Sequence, residues 1–271
     1  MTKLEQARAF LLSNGLSFAS IVPTLLLIRR QRPPGLLALY LCALFRLGFL
    51  ASVLEYFTRS RRDRPKTTSG SEEETRNALW GLFCVTAPLE AIMMGVGLAR
   101  FTKPHNNYSW LLFIPRTFVF ELVFDFGHYW AHRLVHSQPW LYKLSGHKTH
   151  HQVVHPTPFS TFHQELVDSL LSNVLPYFTA LAVLDRGLGI CFTPNQLLLA
   201  LGLKTYVEVA GHVGVLDSRA TSFPQCVWLP RTLGIALQTK DHDLHHTHGG
   251  RSNFAKRFTL FDKLFGTYAQ V

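Results

Sequence analysis

Histidines crowd into two short stretches of this chain. Fourteen are present among 271 residues, and twelve of these lie within 128–163 and 242–248. They form three spaced clusters: His132-x3-His136, His147-x2-His150-His151 and His242-x2-His245-His246. Residues three or four apart on a helix share one face, so each cluster can direct two or three imidazoles at one point. Neutral imidazole is the commonest transition-metal ligand, and eight such ligands are about right for two metal ions.

The alternative is that these are ordinary polar residues, since a lone histidine on a helix is more often a surface or satisfied core residue than a ligand. That explanation would have to recur in each cluster, so a dinuclear site is favoured. Structural zinc sites usually recruit cysteine, and none of the clusters contains one. Imidazole suits zinc, copper, nickel and iron alike, but a histidine-rich site beside the membrane suits two iron ions that activate O2 next to an apolar chain.

Long apolar segments surround the clusters. The chain is 47% hydrophobic and only 16% charged, and about 20 consecutive apolar residues span the hydrocarbon core of a bilayer. Five segments approach this length, at 10–28, 36–54, 78–99, 166–184 and 188–203. They predict membrane helices. A soluble protein with a buried helical core is the alternative, but too little polar sequence remains to cover five such helices.

The last two apolar segments separate the middle and final histidine clusters. If both arms cross the bilayer, or enter it as a shallow re-entrant pair, the chain returns to the side from which it left. This hairpin would let histidines before and after it share one site. Pro176 and Pro194 interrupt the arms, and Arg186-Gly187 lies in the connection. The apolar stretch 110–126 is expected to carry the first histidine helix out of the membrane.

Charge and cysteine content narrow the class of protein. The net charge is +10, and its basic clusters abut apolar segments, which is typical of contact with anionic headgroups. No nucleic-acid motif accompanies them, so nucleic-acid binding is not predicted. Four dispersed cysteines without a C-x-x-C pair fit a reducing compartment. We expect the N-terminal apolar stretch to be a retained anchor and residues 59–77 to form a polar surface loop.

Several motifs around the histidines resemble one known family. They are D-x-x-x-Y-W-x-H-R-x-x-H, P-W-L-Y-K, H-K-T-H-H, a histidine at position 212, H-D-L-H-H and N-F-A-K-R-F-T-L-F-D-K-L-F-G-T, spread over roughly 124–268. Together they resemble the fatty acid hydroxylase/sterol desaturase superfamily. The resemblance implies a multi-pass enzyme of the endoplasmic reticulum whose dimetal site faces the cytosol. Such an enzyme would use O2 and electrons from cytochrome b5 or a reductase to oxidise sterols, sphingoid bases or fatty acyl chains.

The resemblance also implies a set of metal ligands. In this chain they are His132, His136, His147, His150, His151, His163, His212, His242, His245 and His246. His163 departs from the family pattern, because it stands in H-Q-E where H-P-x-E is usual. For His128 and His155, a supporting or simply polar role fits as well as metal ligation. Metal-bound imidazoles usually donate their second N–H to a carboxylate or carbonyl, and the candidate acids are Asp125, Glu165, Asp168, Glu208, Asp241 and Asp243.

The resulting prediction is an all-α protein with about four or five membrane helices, capped by a cytosolic, helical, histidine-rich dimetal domain. Residues 1–105 would form N-terminal membrane helices with the polar loop 59–77, and residues 106–271 a hydroxylase-like domain with a membrane hairpin at about 166–207. The function would be lipid hydroxylation or desaturation by two iron ions, for which zinc can substitute, with the bilayer, a lipid-like substrate and an external electron donor as partners. A metal-binding or metal-transport protein and a non-oxidative zinc homologue are the alternatives.

Overall fold

The computed structural model describes residues 2–30, 34–59, 72–103, 110–214 and 222–270. Helices provide nearly all the regular structure in these ranges, and pairing of extended chain within them is limited to two isolated bridges, Thr102–Phe192 and Ala236–Phe258. The all-α prediction is confirmed.

Eleven helices are numbered here in chain order. They are α1 Lys3–Arg30, α2 Leu36–Thr58, α3 Glu72–Arg100, α4 Phe113–Ser137, α5 Pro139–Ser145, α6 His147–His150, α7 Leu166–Gly187, α8 Pro194–Gly211, α9 Leu229–Thr232, α10 Thr239–Thr247 and α11 Leu260–Leu264. Helices α3 and α7 include short π-helical stretches. Two 3₁₀ turns, Phe159–Phe162 and Pro224–Cys226, lie between these helices.

Within the described ranges, four helices are long and apolar enough to cross a membrane: α1, α2, α3 and α7. The protein is therefore a multi-pass membrane protein, as predicted. The fifth predicted segment, 188–203, is different. Its helix, α8, begins only at Pro194, with Thr193 and Gln196 forming a reciprocal capping box at the N-terminus. From Gln196 to Ala210 every residue but one is buried within the protein.

The predicted polar loop 59–77 is shorter than expected. Helix α3 begins at Glu72, so residues 72–77 are helical and the loop prediction was wrong for them. Glu72, Glu73 and Glu74 occupy the first turn, where carboxylates interact favourably with the positive end of the helix dipole. The remainder of this loop, 60–71, with most of its basic residues, lies outside the described residues.

Helices α1 and α8 pack closely because small residues line their contact. Ser13, Ser17 and Ser20 of α1 are buried, and their hydroxyls donate to carbonyls within the same helix. A Cβ atom at Gly202 of α8 would lie 2.9 Å from the Ser17 carbonyl oxygen and 2.7 Å from Ile21. Small residues of this kind let two helix backbones approach each other in a membrane.

Helices α7 and α8 lead the chain away from the histidines and back to them, while the membrane hairpin at about 166–207 stays a prediction. Near the start of α7, Asp168 contacts His147, and just beyond the end of α8, His212 contacts His242. The segment from α7 to α8 therefore begins and ends beside the histidines. The main hydrophobic cluster combines residues from both halves of the chain, among them Leu47, Met93, Phe120 and Leu198. The predicted boundary at residue 105 falls in 104–109, outside the described residues, and stays a prediction.

Candidate metal centre

Nine of the ten predicted ligands form two compact groups. In each group the potential ligand atoms lie within 4.8 Å of one another. The five-histidine group is His132, His136, His147, His151 and His245. The four-histidine group is His150, His212, His242 and His246.

Two of the three sequence clusters are divided between the groups, contrary to the expectation that a cluster directs its imidazoles at one point, whereas the first cluster lies wholly in the five-histidine group. Pairs four residues apart stay together: His132 with His136, His147 with His151, and His242 with His246. Pairs three residues apart are separated: His150 lies in the other group from His147, and His245 in the other group from His242. A step of three residues rotates a helical side chain about 300°, and a step of four about 400°, so the two steps diverge by about 100°.

Ring nitrogens in the five-histidine group are spaced as metal ligands are. Nε2 of His147 lies 3.1 Å from that of His132, 3.0 Å from that of His136 and 3.1 Å from that of His151. Nε2 of His245 lies 3.2 Å from that of His151. Two ligand atoms that are each bonded to a metal at about 2.1 Å, with a right angle between the bonds, lie about 3.0 Å apart. The group matches that separation.

Hydrogen bonds fix which nitrogen of these rings carries the proton. Three rings place Nδ1 against an acceptor: His132 against the Phe254 carbonyl at 2.9 Å, His147 against Asp168 at 2.8 Å and His245 against the Ser252 carbonyl at 2.7 Å. A neutral imidazole has a single N–H, so in these rings Nδ1 donates and Nε2 presents a lone pair. Lone pairs 3 Å apart repel each other unless a cation lies between them, so this group fits a metal ion.

The four-histidine group has the same construction. Nε2 of His242 lies 3.0 Å from that of His212 and 3.2 Å from that of His246. His212 places Nδ1 2.7 Å from the Glu208 carbonyl, and His246 places Nδ1 3.0 Å from the Val153 carbonyl. Two Nε2 lone pairs therefore converge here as well, and this group also fits a metal ion.

The protonation state of the imidazoles suits metal binding. Burial, with nearby Lys256, lowers the pKa of His212 to about 4, and burial also lowers the pKa of His245 to about 3. Burial and the neighbouring His245 lower the pKa of His151 to about 2. These rings are therefore neutral at physiological pH, which is the state in which imidazole ligates a metal.

A small cavity of about 30 Å³ lies between the two groups. Histidines of both groups line it: His132 and His147 from the first, and His150, His212 and His242 from the second. Apolar residues complete part of its wall, namely Leu47, Phe162 and Val209. The space suits one molecule of about the size of water, in reach of both groups.

The C-terminal motif supports the five-histidine group through two carboxylates. Asp262 accepts hydrogen bonds from the backbone N–H of Phe254 at 2.8 Å and of Ala255 at 2.9 Å. This fixes the Phe254 carbonyl, to which His132 donates. Asp125 accepts the backbone N–H groups of residues 256, 257 and 258 at 2.7, 2.8 and 3.0 Å. Asp262, the acid in F-D-K-L-F-G-T, therefore positions the predicted ligand His132 without contacting it.

The other candidate acids have different partners. Asp243 pairs with His155 at 3.0 Å, and Asp241 accepts the backbone N–H of Gln238 at the start of α10. Glu165 accepts a long hydrogen bond of 3.5 Å from Thr149. Glu208 contributes its backbone carbonyl to His212, while its carboxylate pairs with three cations. Of the six acids, Asp168 alone binds a grouped histidine through its carboxylate.

A chain of buried ion pairs joins the membrane helices to the site. Its contacts are Arg46–Glu90 at 2.6 Å, Glu90–Lys204 at 3.3 Å, Lys204–Glu208 at 2.9 Å, Glu208–Arg257 at 3.0 Å and Arg257–Glu121 at 2.8 Å. This chain of ion pairs was not predicted from the sequence. Arg46 and Glu90 did offer a signal, because each is an isolated charge of opposite sign in a predicted membrane helix, where such charges usually pair.

The remaining histidines of interest lie outside both groups. His163 is buried but belongs to neither, because the turn Phe159–Phe162 directs it to a different cavity. His128 lines the small cavity and donates to the Ser172 carbonyl at 2.6 Å. In a regular α-helix this carbonyl would accept the backbone N–H four residues later. That residue is Pro176, which has no N–H, so the carbonyl is open to His128. His155 pairs with Asp243, and His248 is exposed.

Residues 117–267, more than half of the chain, match the family described as fatty acid hydroxylase. The chain belongs to the fatty acid hydroxylase family. The predicted superfamily is thereby confirmed, and the region matched contains every residue of both histidine groups.

Similar proteins within this family carry several names. Fatty acid hydroxylase vlmA of Lecanicillium sp is 32% identical over 157 residues, which are 56% of this chain and 41% of the relative. Sphinganine C4-monooxygenase 1 of Arabidopsis thaliana is 26% identical, covering 79% of this chain and 80% of the relative. A cholesterol 25-hydroxylase-like protein of Danio rerio is 30% identical, covering 54% and 52%. This chain spans about half or less of the length of vlmA and of the Danio rerio protein. No solved structure matches significantly.

The names of these relatives describe one broad kind of chemistry. Hydroxylase and monooxygenase are names of oxidoreductases, and the compounds in these names are lipids. This member of the fatty acid hydroxylase family has membrane-length helices and two histidine groups whose geometry fits metal ions.

Proposed function

We propose that the chain is a membrane oxygenase that hydroxylates or desaturates a lipid, using two iron ions, O2 and electrons from a separate protein. One observation carries the proposal: two groups of imidazoles with converging Nε2 atoms flank one small cavity. A single structural metal would need only one such group. Two groups facing a shared cavity suit a reaction in which a small oxidant and a substrate carbon meet between them.

Nine residues would hold the metal ions in this proposal. The five-histidine group would bind one ion and the four-histidine group the other. Bound iron would supply O2 activation and the one-electron steps needed to break an unactivated C–H bond. The protein's own part is to hold each ligand ring in one tautomer, through acceptors such as Asp168 and the Phe254 carbonyl. Leu47, Phe162 and Val209 limit the water that can enter the cavity beside the histidines.

The lipid, the electron donor and the location belong to the same proposal. The relatives' names include a fatty acid, a sphingoid base and sterols, so a substrate of this apolar kind is proposed here. Electrons would come from cytochrome b5 or a reductase, and the site would face the cytosol from the endoplasmic reticulum, as the family resemblance implies. Residues 106–271 would form the catalytic part.

Oxidation of lipids by the purified protein tests this proposal. Iron-loaded protein in nanodiscs, supplied with O2 and a reducing system, should convert a lipid to a product that gains one oxygen atom or loses two hydrogens. His151→Ala and His246→Ala, one from each group, should abolish product while the exposed His248→Ala leaves it unchanged. Product that persists in both variants would overturn the proposal. Stoichiometric zinc with no O2 uptake would favour the non-oxidative homologue instead.

A further inference from the structure

A cation lines the small cavity between the two histidine groups. Among the lining residues that the structure describes it is Lys256, in the C-terminal motif. Its side chain is 20% exposed, whereas the cations of the buried ion-pair chain, Arg46, Lys204 and Arg257, are completely buried. A small molecule in the cavity can therefore contact the Lys256 side chain but cannot reach these three cations.

The ammonium of Lys256 is weakly paired. It lies 3.8 Å from Oε1 of Glu208, beyond hydrogen-bond distance. The same oxygen already accepts from Lys204 at 2.9 Å and from Arg257 at 3.0 Å. Two closer cations thus occupy this oxygen, so the N–H groups of Lys256 are available to another acceptor.

This ammonium also lies near the four-histidine group. Burial lowers the pKa of His212 to about 4, and the charge of Lys256 contributes to that shift. Burial, neighbouring histidines and Lys256 together lower the pKa of His242. Both rings line the cavity. Because electrostatic interactions weaken with distance, the ammonium lies close to these two rings.

The cavity has little negative charge to balance metal ions. All nine grouped residues are histidines, which ligate as neutral imidazoles. The two carboxylates among the described lining residues are engaged, Asp168 by His147 at 2.8 Å and Glu208 by its cations. Each divalent ion bound here would add two positive charges to a buried space. Buried charge is costly without a counter-charge, so a loaded centre favours an anion in the cavity.

We propose that the small cavity binds one small monovalent anion between the candidate metal ions and the ammonium of Lys256. This rests on the proposed function, because the metal ions supply part of the attraction. Within that function, O2 that accepts one electron from the external donor becomes a diatomic anion of this kind. Lys256 would then stabilise a charged diatomic ligand more than a neutral one of the same size.

Two diatomic probes of similar size distinguish the effect of charge from that of space. Cyanide binds as an anion, and nitric oxide binds as a neutral molecule. Ferrous, iron-loaded protein in nanodiscs, kept free of O2, is titrated with each probe. The infrared stretch of bound cyanide and the electron paramagnetic resonance of iron with bound nitric oxide report the two affinities without any turnover.

Three variants assign the anion affinity to one side chain. Lys256→Met keeps the length of the side chain but removes its charge. It should weaken cyanide binding about 10–100-fold, the range expected for one hydrogen bond to a charged group, and leave nitric oxide binding unchanged. Lys256→Arg should restore most of the cyanide affinity, since the charge is retained. Lys143→Met removes an exposed cation elsewhere and should change neither affinity.

Metal content is measured on the same samples. The anion site is supported if Lys256→Met loses affinity for cyanide alone and keeps the wild-type metal content. It is contradicted if that variant binds cyanide as wild type does, loses both probes equally or loses a metal ion. An equal loss in Lys143→Met, or wild-type protein that binds no cyanide, also contradicts it. Failure of the proposed function looks different, because the probes would bind as predicted while no lipid is oxidised once O2 and a reducing system are supplied.

Discussion

His150 and His151 are adjacent in the chain, but their imidazoles belong to different histidine groups. Their rings are almost perpendicular, at 83°, with centroids 5.8 Å apart. His245 and His246 repeat the arrangement at 85° and 5.9 Å. Each H-H pair thus contributes one histidine to each group. The backbone at these two pairs therefore fixes where one candidate metal position lies relative to the other.

Asp168 is predicted to control metal affinity through His147. Asp168→Ala removes the acceptor of the Nδ1 hydrogen bond at 2.8 Å and should lower metal affinity about 10–100-fold, the usual effect of losing such a partner. Affinity is measured by competition with a chelator. Asp243→Ala is the matched control, since that carboxylate holds His155, outside both groups. Equal losses in the two variants would contradict this role for Asp168.

Arg257 is predicted to be essential for stability. Its side chain is fully buried and pairs with Glu121 at 2.8 Å and Glu208 at 3.0 Å. Arg257→Met leaves these buried carboxylates with too little positive charge and should lower the free energy of unfolding by about 3–5 kcal/mol. Lys103→Met should leave the free energy of unfolding nearly unchanged, because that side chain is 70% exposed and lies 3.9 Å from Asp185. Denaturant titration in detergent measures both, and a mild Arg257→Met effect would argue against the buried chain.

The metal-free protein should lose stability as the pH falls. Folding lowers the pKa of His212 from 6.5 to about 4 and that of His245 from 6.5 to about 3. Between these values and 6.5 the unfolded chain binds more protons than the folded chain, so the stabilising contribution is complete above about 6.5 and declines below it. The unfolding temperature of chelator-treated protein should therefore drop steadily between pH 7 and 5, roughly, where these histidines titrate on unfolding. An unfolding temperature that rises over this interval would contradict the lowered pKa values.

Much of this architecture could be predicted because it depends on local patterns. Apolar length predicted the membrane helices, and the spacing of His132 and His136, or of His242 and His246, predicted ligands on one helix face. The return of the chain to the histidines after α7 and α8 could be predicted from chain order, since histidines on both sides of this segment had to meet. The division of the second and third clusters between two groups was not predicted, because it depends on the rotation of short helices fixed by tertiary contacts.

The supporting contacts could not be predicted for a related reason. His132, His245 and His246 donate to backbone carbonyls of Phe254, Ser252 and Val153, and every residue has a carbonyl, so side-chain identity carries no signal. The pairing of Lys204 with Glu90 joins positions 114 residues apart. Only the assembled helices bring such charges together.

Metal stoichiometry tests the central claim most directly. Iron-grown, detergent-purified protein is compared by elemental analysis with His132→Ala, from the five-histidine group, and His242→Ala, from the four-histidine group, with His248→Ala as control. The account predicts two metal ions per chain in the wild type and the control, and one in each of the other variants. Fewer than two ions in well-folded wild-type protein, or two retained in either group variant, would contradict it.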